Sequence, residues 1–253
     1  MNSPATLYLS RLIINPASRQ VWSELGHPYE MHRTLMRAFP QVPKAEAINA
    51  RQKYGVLFRV DIDDSGDYAK LYVQSISKPD WSFLSCLSDY LLEEPAPPKD
   101  LMKAYQKLQG GQVLSFRLRA NPTKRIAKPN EGSADLEGKR VGLLKEEQQI
   151  AWLIRKGCER ERGKPGGFEI LMKEIKDQNG EIRLVPRVTV CVEGKQVGRK
   201  KEAMNEHPMT HFAVRFDGLL RITEPDSFRE TLAHGIGPAK AFGFGLLSVT
   251  EIK

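Results

Sequence analysis

YGVLFRVDIDDSGDYAKLYVQSIS, residues Tyr54 to Ser77, holds two alternating apolar and polar runs around DDSGD, a Gly-containing turn. Alternation of period two on both sides of such a turn is the signature of a β-hairpin. Upstream, TLYLSRLIIN (Thr6 to Asn15) alternates in the same way and reads as a strand. Between them, HPYEMHRTLMR (His27 to Arg37) reads as a helix opened at Pro28, whose fixed φ and missing N–H suit a first helical position. Downstream, KPDWSFLSCL is expected to start a second short helix at Pro79 or Asp80. Strand, helix, two strands and helix make most of a ferredoxin-like β-α-β-β-α-β unit.

EEPAPPKD (Glu93 to Asp100) is the most proline-rich stretch and is expected to be an interdomain linker. A second unit begins at GQVLSFRLRANP (Gly111 to Pro122), a strand stopped by Asn-Pro, and continues with a helix over Lys145 to Lys156. A hairpin is expected around Asn179-Gly180 and another around Asp217-Gly218. PDSFRETLAHG (Pro225 to Gly235) has proline at its start and glycine at its end, as a short helix should. LLSVTEI closes the chain as a strand. The expected architecture is α+β, two tandem ferredoxin-like (RRM-like) units: 1–92, a linker over 93–110, and 111–253. The repeat rests on element order and not on sequence identity.

The chain has 253 residues, 40% of them hydrophobic, enough to build a core in each of two small domains. No apolar run approaches the ~18 residues that span a membrane, and MNSPATLYLSRL lacks the pattern of a secretory leader. Three scattered cysteines, Cys86, Cys158 and Cys191, suit free thiols in a reducing cytoplasm. Lysine plus arginine exceeds aspartate plus glutamate, 39 to 31, for a net charge of +8 and a pI near 9.3. A domain this basic suits a polyanion, and no long basic amphipathic helix points to a membrane instead.

On the helix from Pro28, Tyr29, His32 and Arg33 are spaced i, i+3, i+4, with Arg37 following, while Met31, Leu35, Ala38 and Phe39 fall on the other side. A presented phenol, imidazole and two guanidiniums suit proton transfer beside a phosphate and do not suit metal binding. HGIGPAKAFGFGLLS (His234 to Ser248) places Gly235, Gly237, Gly243 and Gly245 around Lys240. It is neither a Walker A loop nor a dinucleotide fingerprint. An RNA-backbone contact through Lys240 and a tight packing loop are equal readings of it. DIDDSGD lacks the twelfth-position acid of a calcium loop and reads as a turn. His207 and His211 lack a third ligand for zinc. Basic clusters at Lys124, Arg125 and Lys128, at Arg155, Lys156, Arg160, Arg162 and Lys164, and at Arg199 to Lys201 suggest a surface that tracks phosphates. Without an aromatic RNP-type stretch, duplex or hairpin RNA fits better than single strands.

NPASR (Asn15 to Arg19), PYEMHRTL (Pro28 to Leu35), FRLRANPTKR (Phe116 to Arg125) and GIGPAKAFGFGLLS (Gly235 to Ser248), in this order, resemble the CasE proteins of type I-E CRISPR systems. The resemblance spans nearly the whole chain. It implies two ferredoxin-like domains and a metal-independent endoribonuclease that cuts CRISPR precursor RNA at the 3′ base of each repeat hairpin. It implies that the protein stays on its product beside the other Cascade subunits, with no cofactor and no small-molecule substrate. The family's tyrosine, histidine and arginine fall on Tyr29, His32 and Arg33. Some relatives carry a lysine where Arg37 stands, and a guanidinium keeps that charge but cannot move a proton. The glycine-rich segment matches the family's RNA-contacting loop. The competing readings are a hairpin-binding subunit that does not cut and a metal-dependent nuclease, the latter disfavoured because the only carboxylate cluster, Asp61 to Asp67, reads as a turn.

Overall fold

The computed structural model describes residues 6–41, 43, 50–126, 137–161, 163–176, 178–199 and 208–252. The first sheet holds β1 (Tyr8–Ile14), β2 (Leu57–Ile62), β3 (Ala69–Ser75) and the two-residue β4 (Lys99–Asp100), in the order β2-β3-β1-β4. All its pairings are antiparallel. The expected hairpin is β2 and β3, with Phe58 opposite Val73 and Val60 opposite Leu71. Ser65 donates its N–H and its hydroxyl to Asp63 in the turn between them. Leu12, Ile14, Phe58, Ala69, Leu71 and Val73 bury one face of this sheet under Val21 of α1 (Arg19–Gly26) and Met31 and Leu35 of α2 (Pro28–Met36). The buried Glu24 carboxylate ties α1 to α2 by accepting from the Thr34 hydroxyl at 2.6 Å, and it also accepts from the Tyr90 phenol at 2.6 Å. That environment holds the Tyr90 phenol well above its ordinary pKa, through burial first and the Glu24 charge second.

Two local expectations for this half change. Residues after Pro79 form a 3₁₀ turn, Ser82–Cys86, instead of an α-helix. The Asp80 carboxylate accepts the Ser82 N–H and the buried Trp81 indole donates to Ser10 of β1, so the segment is pinned onto the core. VPKAEAINARQ, residues 42–52, reads from its sequence as a polar connection, but α3 (Ala50–Tyr54) begins within it. Within 93–110, β4 pairs with Tyr8 and Leu9. α4 (Met102–Tyr105) follows it, with Met102 buried against Leu7 and Ala233.

The second sheet has the order β11-β12-β5-β13, from β5 (Val113–Ala120), β11 (Val188–Arg199), β12 (Pro208–Ile222) and β13 (Leu247–Glu251). Counting only the four strands along each sheet's main path, both sheets run second, third, first, fourth, the ferredoxin-like order. α5 (Glu146–Cys158) and α6 (Pro225–His234) cover it, burying Trp152, Leu153, Phe228 and Leu232 on Leu114, Phe116, Leu118 and Phe216. A small ribbon of β6 (Thr123–Arg125) and β7 (Arg140–Gly142) precedes α5. β8 (Phe168–Ile170) pairs with the end of β12, then the chain leaves the sheet as the hairpin β9 (Met172–Lys176) and β10 (Ile182–Pro186) before rejoining as β11. The hairpin at Asn179-Gly180 therefore forms.

The hairpin expected at Asp217-Gly218 does not form: β12 runs straight through it. Gly218 stands where β11 begins on β12, and a Cβ there would lie 2.4 Å from the Arg187 carbonyl oxygen. Close approach of two backbones, and not a turn, requires the glycine. Among the described residues no helix is long and apolar enough to cross a membrane.

The two sheets are joined by buried polar contacts. Gln74 of β3 donates to the carbonyls of Leu232 (2.8 Å) and Ala233 (3.3 Å), which are last-turn acceptors of α6. Arg59 of β2 donates to the Ser248 hydroxyl of β13 at 2.9 Å. Gln74→Leu strips the α6 carbonyls of their donor in a buried place. It is expected to lower unfolding free energy by about 1–3 kcal/mol in a denaturant titration. An unchanged midpoint would contradict the joint described.

Candidate active site

α2 starts at Pro28 and is amphipathic, and its register decides which side chains reach the seam between the sheets. Met31 and Leu35 point into the core and Thr34 bonds Glu24. His32 sits on the border of the buried face and is only 8% exposed. Its ring stacks on Phe58 of β2, with centroids 6.3 Å apart and planes within 9°. The Tyr29 ring is 6.0 Å away on the same side. The expectation that the imidazole is openly presented is thus modified: β2 and the second half enclose it. Burial, reinforced by the Arg51 guanidinium of α3, lowers the His32 pKa to about 4. The imidazole is neutral near pH 7 and able to accept a proton. Its Nδ1 is buried without a hydrogen-bond partner.

The second half contributes the cover. After α6 the chain turns at Gly235 (φ +71), and Ile236 N–H bonds the Gly245 carbonyl at 2.9 Å. A Cβ on Gly235 would lie 2.6 Å from that carbonyl oxygen and 2.8 Å from Leu57, so only glycine closes this loop on the first sheet. Gly237 packs on Trp152 and Gly243 on Phe58, so packing accounts for these positions also. The loop carries the 3₁₀ turn Lys240–Phe242 onto α2, where the Phe242 ring lies 5.5 Å from Tyr29. His211 of β12 backs Phe242 at 4.4 Å. Asn121 accepts the Phe212 N–H, which leaves its amide nitrogen to donate to His211 Nδ1 at 3.1 Å. The Lys240 ammonium is 3.9 Å from Glu161. Its pKa is pushed down to about 8, by burial first and by the Arg51, Arg160 and Lys156 cations against the opposing pull of Glu161.

Beside this turn lies a groove of about 640 Å³ lined by Lys124, Arg125, Arg140, Arg155, Lys156 and Arg160, with Glu161, Gly237 and Pro238 at one side. Arg125 donates to the Gly138 carbonyl at 2.8 Å. Arg160 is 2% exposed and has Nη2 3.7 Å from Glu230, while its Nε and Nη1 have no partner. The structure therefore brings Lys124, Arg125 and Arg160 together beside the glycine-rich loop. Arg162, Lys128, Lys200, Lys201 and His207 lie outside the described residues. Arg33 and Arg37 take other positions. Arg33 is exposed and paired with Glu30 at 2.9 Å, and Arg37 lies over the Phe83 ring at 4.5 Å. Both line a separate hollow with Met36, Phe39, Pro40 and Tyr54. Four helical residues read as one face are thus split between two surfaces.

Arg51 and Glu161 are the site residues that the sequence did not disclose. Arg51 belongs to a five-residue helix without a strong period, and Glu161 is one acid within a basic run.

The fold and site describe a twin ferredoxin-like protein with an imidazole, a phenol and an ammonium at the seam of its halves. The family model for CRISPR associated proteins matches residues 7–251, and the chain belongs to that family, within its CasE group. It is similar to the CRISPR-associated endoribonuclease Cse3 of Thermus thermophilus, 35% identical over 96% of this chain and 99% of that protein. It is also similar to the Cascade subunit CasE of Escherichia coli K12, 29% identical over 97% of this chain and 100% of that protein. Among solved structures, Thermus thermophilus Cse3 bound to an RNA representing a pre-cleavage complex aligns with a TM-score of 0.68. It is 33% identical and covers 97% of this chain and 99% of that one.

The lowered pKa of His32 carries a sign for stability. The unfolded chain takes up this proton near pH 6.5 and the folded chain only near 4, so the contribution is complete above 6.5 and is lost as pH falls toward 4. His32→Gln is expected to flatten the loss of unfolding free energy between neutral and about pH 4.5 by about 2 kcal/mol. Parallel pH–stability curves for the two proteins would contradict the buried neutral imidazole.

Proposed function

We propose that this protein is the endoribonuclease that cleaves CRISPR precursor RNA at the 3′ base of the repeat hairpin and stays on the product as a Cascade subunit. The observation that carries the reading is the enclosed, neutral His32 beside Tyr29, roofed by the Lys240 turn at the end of a basic groove. The named activity of the Cse3 relative and the Cascade membership of the CasE relative support it. The repeat hairpin and the other Cascade subunits are its partners in the cytoplasm. Residues 1–92 present α2, 111–253 supply the groove and the cover, and 93–110 connect them while lending β4 to the first sheet.

The reaction needs a base for the 2′-hydroxyl, positive charge around the phosphorane-like transition state, and a proton for the departing 5′-oxygen. His32 takes the 2′-hydroxyl proton, its low basicity offset by the approach of the phosphate. Tyr29 orients the nucleophile through its phenol. Arg33 and Arg37 face the RNA as it leaves the seam, and their charge follows the phosphates. Lys124, Arg125 and Arg160, with Arg140, Arg155 and Lys156, hold the stem backbone, and Arg162 continues that basic run in the sequence. Attack gives a 2′,3′-cyclic phosphate and a 5′-hydroxyl and needs no metal. Among the described residues no three His, Cys, Asp or Glu side chains are grouped as metal ligands.

Single-turnover cleavage of a repeat hairpin in excess chelator is the test. His32→Ala is expected to lose about 10²–10⁴-fold in rate while binding within a few-fold of wild type. A 2′-deoxy nucleotide at the cut site should abolish cleavage. Tight binding without cleavage by the wild type would leave a hairpin-binding subunit instead, and activity lost to chelator would mean a metal nuclease. Arg140→Ala and Arg155→Ala are each expected to weaken binding of any hairpin sequence and to reduce the salt-dependence slope by about one. An unchanged slope would remove the groove from the interface.

A further inference from the structure

The position of Lys240 goes beyond holding RNA. The Lys240–Phe242 turn is entered through Ala239, which adopts a left-handed backbone (φ 62), alone among the described non-glycine residues. Side chains rarely accept this conformation, and it persists where surrounding packing enforces it. Here it is enforced between Gly235, locked to Gly245 and Leu57, and Phe242, locked between Tyr29 and His211. The result is a lysine side chain only 15% exposed, held between the basic groove and α2. Phe242, in the same turn, meets the Tyr29 ring of α2 at 5.5 Å, so Lys240 sits on the turn that roofs that helix.

We propose that Lys240 is the general acid of the cleavage, giving its proton to the 5′-oxygen as that oxygen leaves phosphorus. This rests on the endoribonuclease reading above and assigns its missing proton donor. The balance closes within the site. The 2′-oxygen–phosphorus bond forms as the phosphorus–5′-oxygen bond breaks. His32 gains the 2′-hydroxyl proton, Lys240 becomes a neutral amine, and the 5′-hydroxyl carries the proton Lys240 gave. Solvent exchange then resets both groups.

The nearby arginines and His211 do not fit the task, and the Lys156 ammonium is turned to the Arg160 carbonyl. Arg51 and Arg160 are guanidiniums, which do not release protons near neutrality. Arg37 lies over Phe83 and Arg33 on Glu30, both away from the turn. His211 stands behind Phe242 with its Nδ1 accepting from Asn121. The groups that set the charge of Lys240 are Glu161, which favours the ammonium, and Arg51, Arg160 and Lys156, which disfavour it. With His32 near 4 and Lys240 near 8, a neutral base and a charged acid coexist at pH 7.

The test compares Lys240→Arg and Lys240→Ala with wild type on two hairpins, one ordinary and one with sulfur replacing the scissile 5′-oxygen. The thiolate leaves without a proton. On the ordinary hairpin both variants should cleave about 10²–10⁴-fold more slowly, and the wild-type rate should fall above about pH 8. On the sulfur substrate both should return to within a few-fold of wild type, and that alkaline fall should vanish. If Lys240→Arg keeps the wild-type rate on the ordinary hairpin, or if sulfur restores neither variant, Lys240 is a phosphate contact and the proposal is overturned. Failure of wild type to cut either hairpin overturns the endoribonuclease reading itself. Hairpin affinity, expected to stay within a few-fold for Lys240→Arg, shows that this variant is folded.

Discussion

The site depends on one contact: the glycine-rich loop of the second half closing over α2 and β2 of the first. Phe58 lies at its centre, stacked on His32 from one side and touching the backbone at Gly243 from the other. Phe242 does the same for Tyr29. A helical wheel alone would leave His32 at the border of the exposed face of α2. Burial beneath the joint, together with the Arg51 guanidinium of α3, instead favours the neutral imidazole. The environment of His32 is therefore a property of the joint between the sheets and not of a single helix.

Charge is divided with the same logic. The net +8 is not spread evenly. Arg59 and Arg117 bond Asp61 and Asp217, Arg215 shares Asp217, and Arg119 is bonded to Glu193. These arginines, two of them in the FRLRANP stretch, hold the sheets and their cleft together. The groove at Lys124, Arg125, Arg140, Arg155, Lys156 and Arg160 holds more cations than the acids near it, Glu159, Glu161 and Glu230. Positive charge left unneutralised along one groove is what attracts a phosphate backbone.

Much of the fold was legible because local rules decided it. The β2–β3 hairpin has period-two burial and a Gly turn, α6 lies between Pro225 and Gly235, and β5 ends at Asn121-Pro122. Asp217-Gly218 misled because the dipeptide signals a turn, while here glycine admits a neighbouring strand at close range. The turn after Trp81 is 3₁₀ because the Trp81 bond to Ser10 and the Asp80 bond to Ser82 outweigh helix propensity. In the site, Tyr29, His32 and Lys240 were legible from spacing and from the family resemblance. The split of Arg33 and Arg37 from them was not, because a helical wheel shows which face a residue is on but not what covers it. Arg51 and Glu161 matter only through contacts made across the chain.

The decisive measurement is the titration of the His32 side chain, followed by NMR on imidazole-labelled protein with the other histidines assigned by substitution. His32 is expected to titrate far below an ordinary histidine, near 4. Its pKa should return toward the ordinary value when Gly235→Val props the loop off Leu57. A His32 that titrates near 6.5 in the intact protein would contradict the claim that the joint between the sheets makes the site.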